Sequence, residues 1–146
     1  MTREMTLAID CGGGGIKGSV VDERGTMIAP PHRVPTPYPL PPELLVDTAV
    51  SLARELPAAT RVTMGMPGMI RHGVVIATPH YITRDGPRSR VLPELVERWD
   101  HFDMGSAIEQ ALGLPTKVLN DAEVAGAGAI TGRGLEMIIT LGTGLG

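Results

Sequence analysis

The amino-acid sequence predicts an α/β domain with a mixed β-sheet. Three short β-rich stretches open the chain, EMTLAID, IKGSVVD and TMIAPP, and they predict an antiparallel three-strand meander. Strands and helices then alternate, which is typical of a sheet flanked by helices. With 146 residues, the chain is long enough for one domain with a sizeable core.

The limits of the meander follow from turn and proline signals. Leu7 and Ile9 lie on one face of the first strand. Asp22-Glu23-Arg24-Gly25 predicts a tight turn before a third strand at Thr26–Pro31. Seven prolines between positions 30 and 42 then exclude helix and central strand, so an extended connector is expected there.

The remaining elements are predicted from periodicity and from their terminal residues. A helix is expected from Pro42 to Pro57, followed by a buried strand, RVTMGM, and a hairpin that includes GVVIAT. A second helix, MGSAIEQALGL, has Ser106 and Glu109 as a capping box and Gly113 as its C-cap. The last expected elements are a strand, TKVLN, a helix, DAEVAGAGAITG, and a strand, EMIITL.

Composition excludes several classes of protein. The net charge of −3 and the pI of 5.8 provide no broad cationic face for nucleic acid or for a membrane surface. Aromatic residues make up 3% of the chain, so the core is expected to be aliphatic. The single cysteine excludes an internal disulfide. Neither a signal peptide nor a membrane-spanning run is found, so a cytoplasmic protein is expected.

The glycine-rich stretch DCGGGGIKG predicts a phosphate-binding hairpin. It matches the dinucleotide fingerprint at Gly13, Gly15 and Gly18, but a strand follows where that fingerprint requires a helix. This disfavours a nicotinamide dehydrogenase. Bare backbone N–H groups can bind phosphate oxygens, while Asp10 can hold Mg²⁺ or its waters and Lys17 can neutralise phosphate charge. A plain glycine-rich hairpin is the alternative.

Asn120 and Asp121, in LNDAEVAG, stand at a predicted strand-to-helix junction. Either residue could simply be the N-cap of the helix. The functional alternative makes Asp121 a general base that takes a proton from a substrate hydroxyl, with Asn120 bonded to neighbouring hydroxyls.

Two further glycine turns are candidates for binding. Gly142-Thr143-Gly144 follows an apolar strand and could be a second phosphate-binding turn, or only a glycine-rich end. The turn at 65–68 could form one wall of a sugar pocket, or it could be purely structural.

The order of these motifs resembles the N-terminal half of the ROK-family sugar kinases, in the actin-like ATPase superfamily with its ribonuclease H-like domain. Within the family, the chain looks most like the glucokinases that use polyphosphate or ATP. The resemblance is carried by AIDCGGGGIKGSVVD, GMPGMIRHGVVIATPHYI, LGLPTKVLNDAEVAGAGA and TLGTGLG. Gly14 departs from the family, which usually has Thr or Ser there, and His80 stands where the family often has asparagine.

The resemblance implies a role for each matching residue. Asp121 would be the catalytic base, and Asp10 would organise Mg²⁺ through water. The sugar pocket would include Asn120, Pro67, Gly68 and His80. The donor phosphates would contact Gly12, Gly13, Gly14, Gly15, Lys17, Gly142, Thr143 and Gly144.

The resemblance also implies a division of the chain and a reaction. Residues 1–133 would form the N-terminal actin-like domain, and residues 134–146 would begin a second domain that is absent from this sequence. The apolar strand at 136–141 is then expected to be disordered, to dock on its own domain or to pair between copies, so a homodimer is one expected outcome. The predicted activity is transfer of a phosphoryl group from ATP or polyphosphate to a hexose, with glucose O6 favoured. A non-catalytic sugar-sensing domain is the alternative.

Overall fold

The computed structural model describes residues 3–141, in which the chain forms eight strands and four helices. The strands are β1 (Thr6–Cys11), β2 (Gly15–Val21), β3 (His32–Pro35), β4 (Arg61–Met66), β5 (Met69–Arg71), β6 (Val74–Ala77), β7 (Phe102–Asp103) and β8 (Thr116–Asn120). The helices are α1 (Pro42–Arg54), α2 (Pro93–Trp99), α3 (Met104–Leu112) and α4 (Asp121–Ala129).

A five-stranded mixed sheet organises the fold, with the strand order β3-β2-β1-β4-β8. The strands β1, β2 and β3 are antiparallel neighbours, whereas β4 and β8 run parallel to β1. A second antiparallel sheet has the order β5-β6-β7. The predicted α/β class, the meander and the β5–β6 hairpin are therefore confirmed.

The third strand of the meander is not at Thr26–Pro31, and that prediction was wrong. Met27 makes only an isolated bridge to Val21, and β3 lies instead at His32–Pro35, within the proline-rich stretch. Prolines are tolerated here because β3 is an edge strand and Pro35 ends it. Proline density excluded a central strand correctly, but it did not exclude an edge strand.

The core lies on the face of the sheet that is covered by α1 and is largely aliphatic. Leu45, Ala49 and Leu52 are buried on one side of α1, which begins at Pro42 as predicted. An aromatic cluster extends this core, with the Tyr81 and Trp99 ring centroids 5.6 Å apart. Trp99 belongs to α2, a seven-residue helix that is too short for its periodicity to be recognised.

The predicted capping box of α3 was wrong, although its C-cap was right. Asp103 is the N-cap, because its carboxylate accepts a hydrogen bond from the Ser106 backbone N–H at 2.9 Å. The Ser106 hydroxyl donates to the same carboxylate at 2.8 Å, so it supports the cap without forming it. Gly113 ends the helix in the left-handed region, with φ of 66°.

The segment after α4 docks on its own domain but belongs to neither sheet. Glu136 accepts hydrogen bonds from the backbone N–H groups of Thr131 and Gly132 at 2.8 and 2.7 Å. Ile138 packs on the bare backbone of Gly126. The strand predicted at 136–141 is not formed: within these residues, only Leu141 takes part in a β-bridge.

None of the helices formed by residues 3–141 combines the length and the apolar character needed to span a membrane.

Candidate active site

The carboxyl ends of the parallel strands β1, β4 and β8 meet at one edge of the main sheet. Asp10 is in register with Gly65, and Gly65 is in register with Leu119. Two interstrand spacings therefore separate Asp10 from β8, or about 10 Å between Cα atoms. Asp121 follows β8 directly as the first residue of α4.

Gly65 brings Asp121 close to the strand that carries Asp10. A Cβ atom at Gly65 would lie 3.2 Å from Val124 Cγ2 and 3.4 Å from the Asp121 Cα atom. The absence of a side chain thus lets the first turn of α4 pack directly on β4. Asp10 pairs with Gly65 from the neighbouring strand β1. The two aspartates therefore both lie next to Gly65.

The electrostatic influence of the two aspartates falls on the same neighbours. Burial raises the pKa of the Cys11 thiol, and the carboxylates of Asp10 and Asp121 raise it further. Burial also raises the pKa of Tyr81 well above its usual value, with both carboxylates again contributing. Cys11 is therefore an unreactive thiol.

The glycine turn between β1 and β2 is held by its own backbone. The Gly12 N–H donates to the Gly15 carbonyl at 2.9 Å, which closes the turn. The Gly12 carbonyl accepts hydrogen bonds from the Thr36 hydroxyl at 2.8 Å and the Tyr81 hydroxyl at 3.3 Å. These long-range contacts fix the turn against the rest of the domain.

The glycines of this turn have different steric requirements. A Cβ atom at Gly15 would lie 2.6 Å from Arg33 Nε, so a side chain at position 15 would displace the Arg33 guanidinium. A Cβ atom at Gly12 would lie 3.1 Å from the Gly15 carbonyl oxygen. A Cβ atom at Gly14 has nothing within 4 Å, and Gly14 is exposed. The exposed tip therefore has room for a side chain, whereas at position 15 glycine leaves the space to the Arg33 guanidinium.

Asp10 and Lys17 form an ion pair across β1 and β2, with Lys17 Nζ 3.3 Å from Asp10 Oδ2. The two side chains are 61% and 53% exposed, respectively, so both stay accessible to a ligand. No cluster of three or more side chains suited to a metal occurs in residues 3–141. The donors present, one or two carboxylates, suit Mg²⁺, which usually keeps several waters and binds substrate phosphates.

Asn120 is the N-cap of α4, as one of the two sequence interpretations predicted. Its Oδ1 accepts from the Ala122 N–H at 2.9 Å, and Glu123 bonds back to the Asn120 N–H, which completes a capping box. Its Nδ2 donates to the Gly68 carbonyl at 2.7 Å. The role of Asn120 in sugar binding stays a prediction.

Asp121 has one carboxylate oxygen engaged locally. Oδ1 accepts from the Ala122 N–H at 2.9 Å. Within residues 3–141, Oδ2 has no hydrogen-bond partner, and the side chain is half-buried. This oxygen can accept a proton from a bound hydroxyl.

The turn at Pro67 and Gly68 is anchored on both sides. Thr78 Oγ1 donates to the Pro67 carbonyl at 2.9 Å, while Gly68 adopts φ of 122°. A Cβ atom at Gly68 would collide with the Ala77 carbonyl oxygen, so this position requires glycine. His80 lies just beyond Thr78, and its buried Nδ1 has no hydrogen-bond partner in the described part of the chain.

Three residues that support the site were not predicted from the sequence. Three other residues that were predicted to belong to the site lie outside the described part of the chain. Thr36, Tyr81 and Arg33 are separated from the glycine turn by intervening elements, so no local pattern indicated them. Gly142, Thr143 and Gly144, predicted as a second phosphate-binding turn, fall outside residues 3–141.

Sequence comparison shows that this chain belongs to the ROK family, whose pattern matches residues 6–146. A glucokinase of Streptomyces coelicolor is 31% identical over 97% of this chain and 42% of its own length. An N-acetylmannosamine kinase of Escherichia coli strain SE11 is 35% identical over 97% of this chain and 45% of its own length. The chain thus spans less than half the length of these relatives.

Solved structures agree with this assignment. The inorganic polyphosphate/ATP-glucomannokinase of Arthrobacter sp. strain KM matches with a TM-score of 0.78 and 32% identity, over 98% of this chain and 56% of that one. A ROK glucokinase of Streptomyces griseus, in complex with glucose and AMPPNP, matches with a TM-score of 0.71 and 32% identity, over 97% and 43%. The predicted actin-like ATPase fold is therefore confirmed.

Proposed function

We propose that this chain is the N-terminal part of a sugar kinase that transfers a phosphoryl group from ATP or polyphosphate to a hexose, with glucose O6 as the acceptor. The observation that carries the proposal is the meeting of Asp10, the glycine turn and Asp121 at one edge of the sheet. The related glucokinase and N-acetylmannosamine kinase support phosphorylation of a sugar. The glucomannokinase and the AMPPNP complex support the two donors.

The glycine turn and its two charged neighbours form the donor side of the proposed site. The turn Gly12–Gly15 cradles the transferring phosphate through backbone N–H groups other than that of Gly12, which donates to the Gly15 carbonyl, and no side chain at position 15 blocks the approach of the phosphate. Lys17 neutralises phosphate charge from the adjacent strand. Asp10 would hold Mg²⁺ through water, and the ion would neutralise charge on the donor phosphates.

Asp121 forms the acceptor side. Its Oδ2 takes the proton of the sugar hydroxyl as the oxygen attacks phosphorus, while the capped first turn of α4 keeps the carboxylate in place. General-base catalysis typically contributes about 10²–10⁴-fold to the rate. Asn120, Pro67, Gly68 and His80 line the sugar pocket in this proposal, and the Asn120–Gly68 hydrogen bond joins the two segments that form it.

The proposal extends to the end of the chain. Residues 134–146 begin a second domain, in which residues 136–141 would pair as a strand and Gly142, Thr143 and Gly144 would contact the donor phosphates. The apolar side chains of Leu135, Met137 and Ile139 are 102%, 81% and 61% exposed, which fits a segment whose partners belong to another unit.

The test compares Asp121→Asn with wild type in the complete kinase, with Asp100→Asn as a matched control on an exposed aspartate. We expect Asp121→Asn to reduce kcat at least a hundredfold while glucose binding persists, and Asp100→Asn to leave both unchanged. Near-normal turnover of Asp121→Asn would refute the assignment of the base.

The same protein tests substrate and donor. A panel of glucose, mannose and N-acetylmannosamine, each with ATP or polyphosphate, should give its highest kcat/KM with glucose. Sugar binding without phosphoryl transfer from either donor would instead identify a non-catalytic sugar-sensing domain.

A further inference from the structure

We propose that Arg33 is a further donor-binding residue, which binds the phosphate next to the transferred one in a phosphoanhydride donor. This inference rests on the proposed function, because it assigns a residue to the donor side of the same site. The observation that carries it is the position of the Arg33 guanidinium directly over Gly15 of the glycine turn.

Arg33 belongs to a row of charged residues on one face of the meander. Asp10 is in register with Lys17 across β1 and β2, and Lys17 is in register with Arg33 across β2 and β3. Residues directly opposite one another on neighbouring strands project to the same face of a sheet. The row therefore leads from the proposed metal-holding carboxylate to two cations within two strand spacings, about 10 Å.

The guanidinium lies against the backbone of the turn. A Cβ atom at Gly15 would lie 2.6 Å from Arg33 Nε, 2.9 Å from Nη2 and 3.1 Å from Cζ. Three atoms of the planar group thus cover the space that a side chain at position 15 would occupy. Glycine at this position is what allows Arg33 to reach the phosphate-binding turn.

The charge of Arg33 is not neutralised within the described residues. Asp10, the acidic member of the row, pairs with Lys17 at 3.3 Å, and no carboxylate of residues 3–141 lies within 4.0 Å of the Arg33 guanidinium. Nor does the side chain donate a hydrogen bond to any of these residues. Its five N–H donors are therefore available, in a planar arrangement that matches two phosphate oxygens.

A purely structural role explains this arrangement less well. Arg33 is exposed on an edge strand, so its charge contributes little to stability without a partner. A phosphate chain that extends from the turn along the Lys17–Arg33 pair would give both cations an anionic partner. ATP and polyphosphate share this chemistry, so the prediction applies to either donor.

Calorimetric titration of this chain in Mg²⁺ buffer, with inorganic tripolyphosphate and orthophosphate as probes, tests the proposal. We expect Arg33→Gln to weaken tripolyphosphate binding about tenfold, since one charge-assisted bidentate contact is lost, and to leave orthophosphate binding within about twofold. Gly15→Ala should weaken tripolyphosphate binding similarly, because it displaces the guanidinium without removing its charge. Arg54→Gln is the matched control, since Arg54 is exposed on α1, against the opposite face of the sheet, and should have no effect.

The outcomes separate this proposal from the proposed function. If Lys17→Gln weakens tripolyphosphate binding but Arg33→Gln does not, Arg33 is no donor ligand although the donor site stands. If Arg33→Gln weakens both probes equally, the assignment to the adjacent phosphate is wrong. If wild type binds tripolyphosphate no better than orthophosphate, or binds neither at millimolar concentration, the donor site itself is refuted. Thermal unfolding of each variant verifies that it remains folded.

Discussion

Replacing Gly68 by alanine tests the contact between the turn at Pro67–Gly68 and the N-terminus of α4. Gly68 has φ of 122°, and a Cβ atom there would meet the Ala77 carbonyl oxygen and lie 2.9 Å from the Thr78 Cα atom. The Gly68 carbonyl also accepts the 2.7 Å hydrogen bond from Asn120, the N-cap of α4. Moving this backbone therefore disturbs both the turn and the residue before Asp121.

The expected loss has two contributions. The left-handed backbone costs a non-glycine residue about 1–2 kcal/mol. Overpacking against a rigid backbone typically costs about 1–3 kcal/mol more. Gly68→Ala should thus lower the free energy of unfolding by about 2–5 kcal/mol, measured by urea denaturation, which is a large part of the ~5–15 kcal/mol of a typical domain.

Gly113→Ala is the matched control for this measurement. Gly113 also has a positive φ, 66°, but a Cβ atom there has nothing within 4 Å. Gly113→Ala should therefore lower the free energy of unfolding by the backbone contribution alone, about 1–2 kcal/mol. If Gly68→Ala lost no more stability than Gly113→Ala, the steric argument for Gly68 would be refuted.

Three further predictions concern the cap, the turn between strands and the tip of the glycine turn. Asn120→Ala should lower the free energy of unfolding by about 1–3 kcal/mol in urea denaturation, because it loses the cap and the bond to Gly68; an unchanged midpoint would contradict this. The hydrogen bond from the Thr26 N–H, together with other backbone and charge contacts, lowers the pKa of Asp22 below its ordinary value of 3.8. The ionised carboxylate therefore stabilises the fold above that pH. The stability difference between wild type and Asp22→Asn should therefore be full at neutral pH and shrink as the pH falls below 3.8; a difference independent of pH would contradict it. Gly14→Ser should keep wild-type stability, because its Cβ meets nothing within 4 Å, and should tighten donor binding by up to about tenfold through an added hydroxyl; a clear loss of stability would contradict the open geometry.

Local patterns predicted most of the fold but only part of the site. Turn and proline signals located β1, β2 and the start of α1, because these depend on neighbouring residues. The third strand was placed about six residues too early, since proline density was taken to exclude pairing that an edge strand tolerates. That shift also hid Arg33, which lies opposite Lys17 only in the register that β3 adopts.

The convergence of Asp10 and Asp121 could not be predicted from spacing, because they are brought together by the parallel pairing of β1, β4 and β8. Resemblance to a family implied it, and the register of these strands shows how it arises. Thr36 and Tyr81, which support the glycine turn from distant elements, had no local signal because each contributes a single hydroxyl across the fold.

The central claim is that the glycine turn, as the donor-binding segment, and Asp121 at the start of α4, as the base, face one shared site. Mn²⁺ in complex with tripolyphosphate, titrated into this chain, would broaden the backbone NMR signals of residues near the paramagnetic ion. We predict that Gly12–Gly15 and Asp121–Ala122 broaden together in one titration, while Arg54 on the opposite face does not. Broadening at only one of the two segments, or at neither, would contradict it.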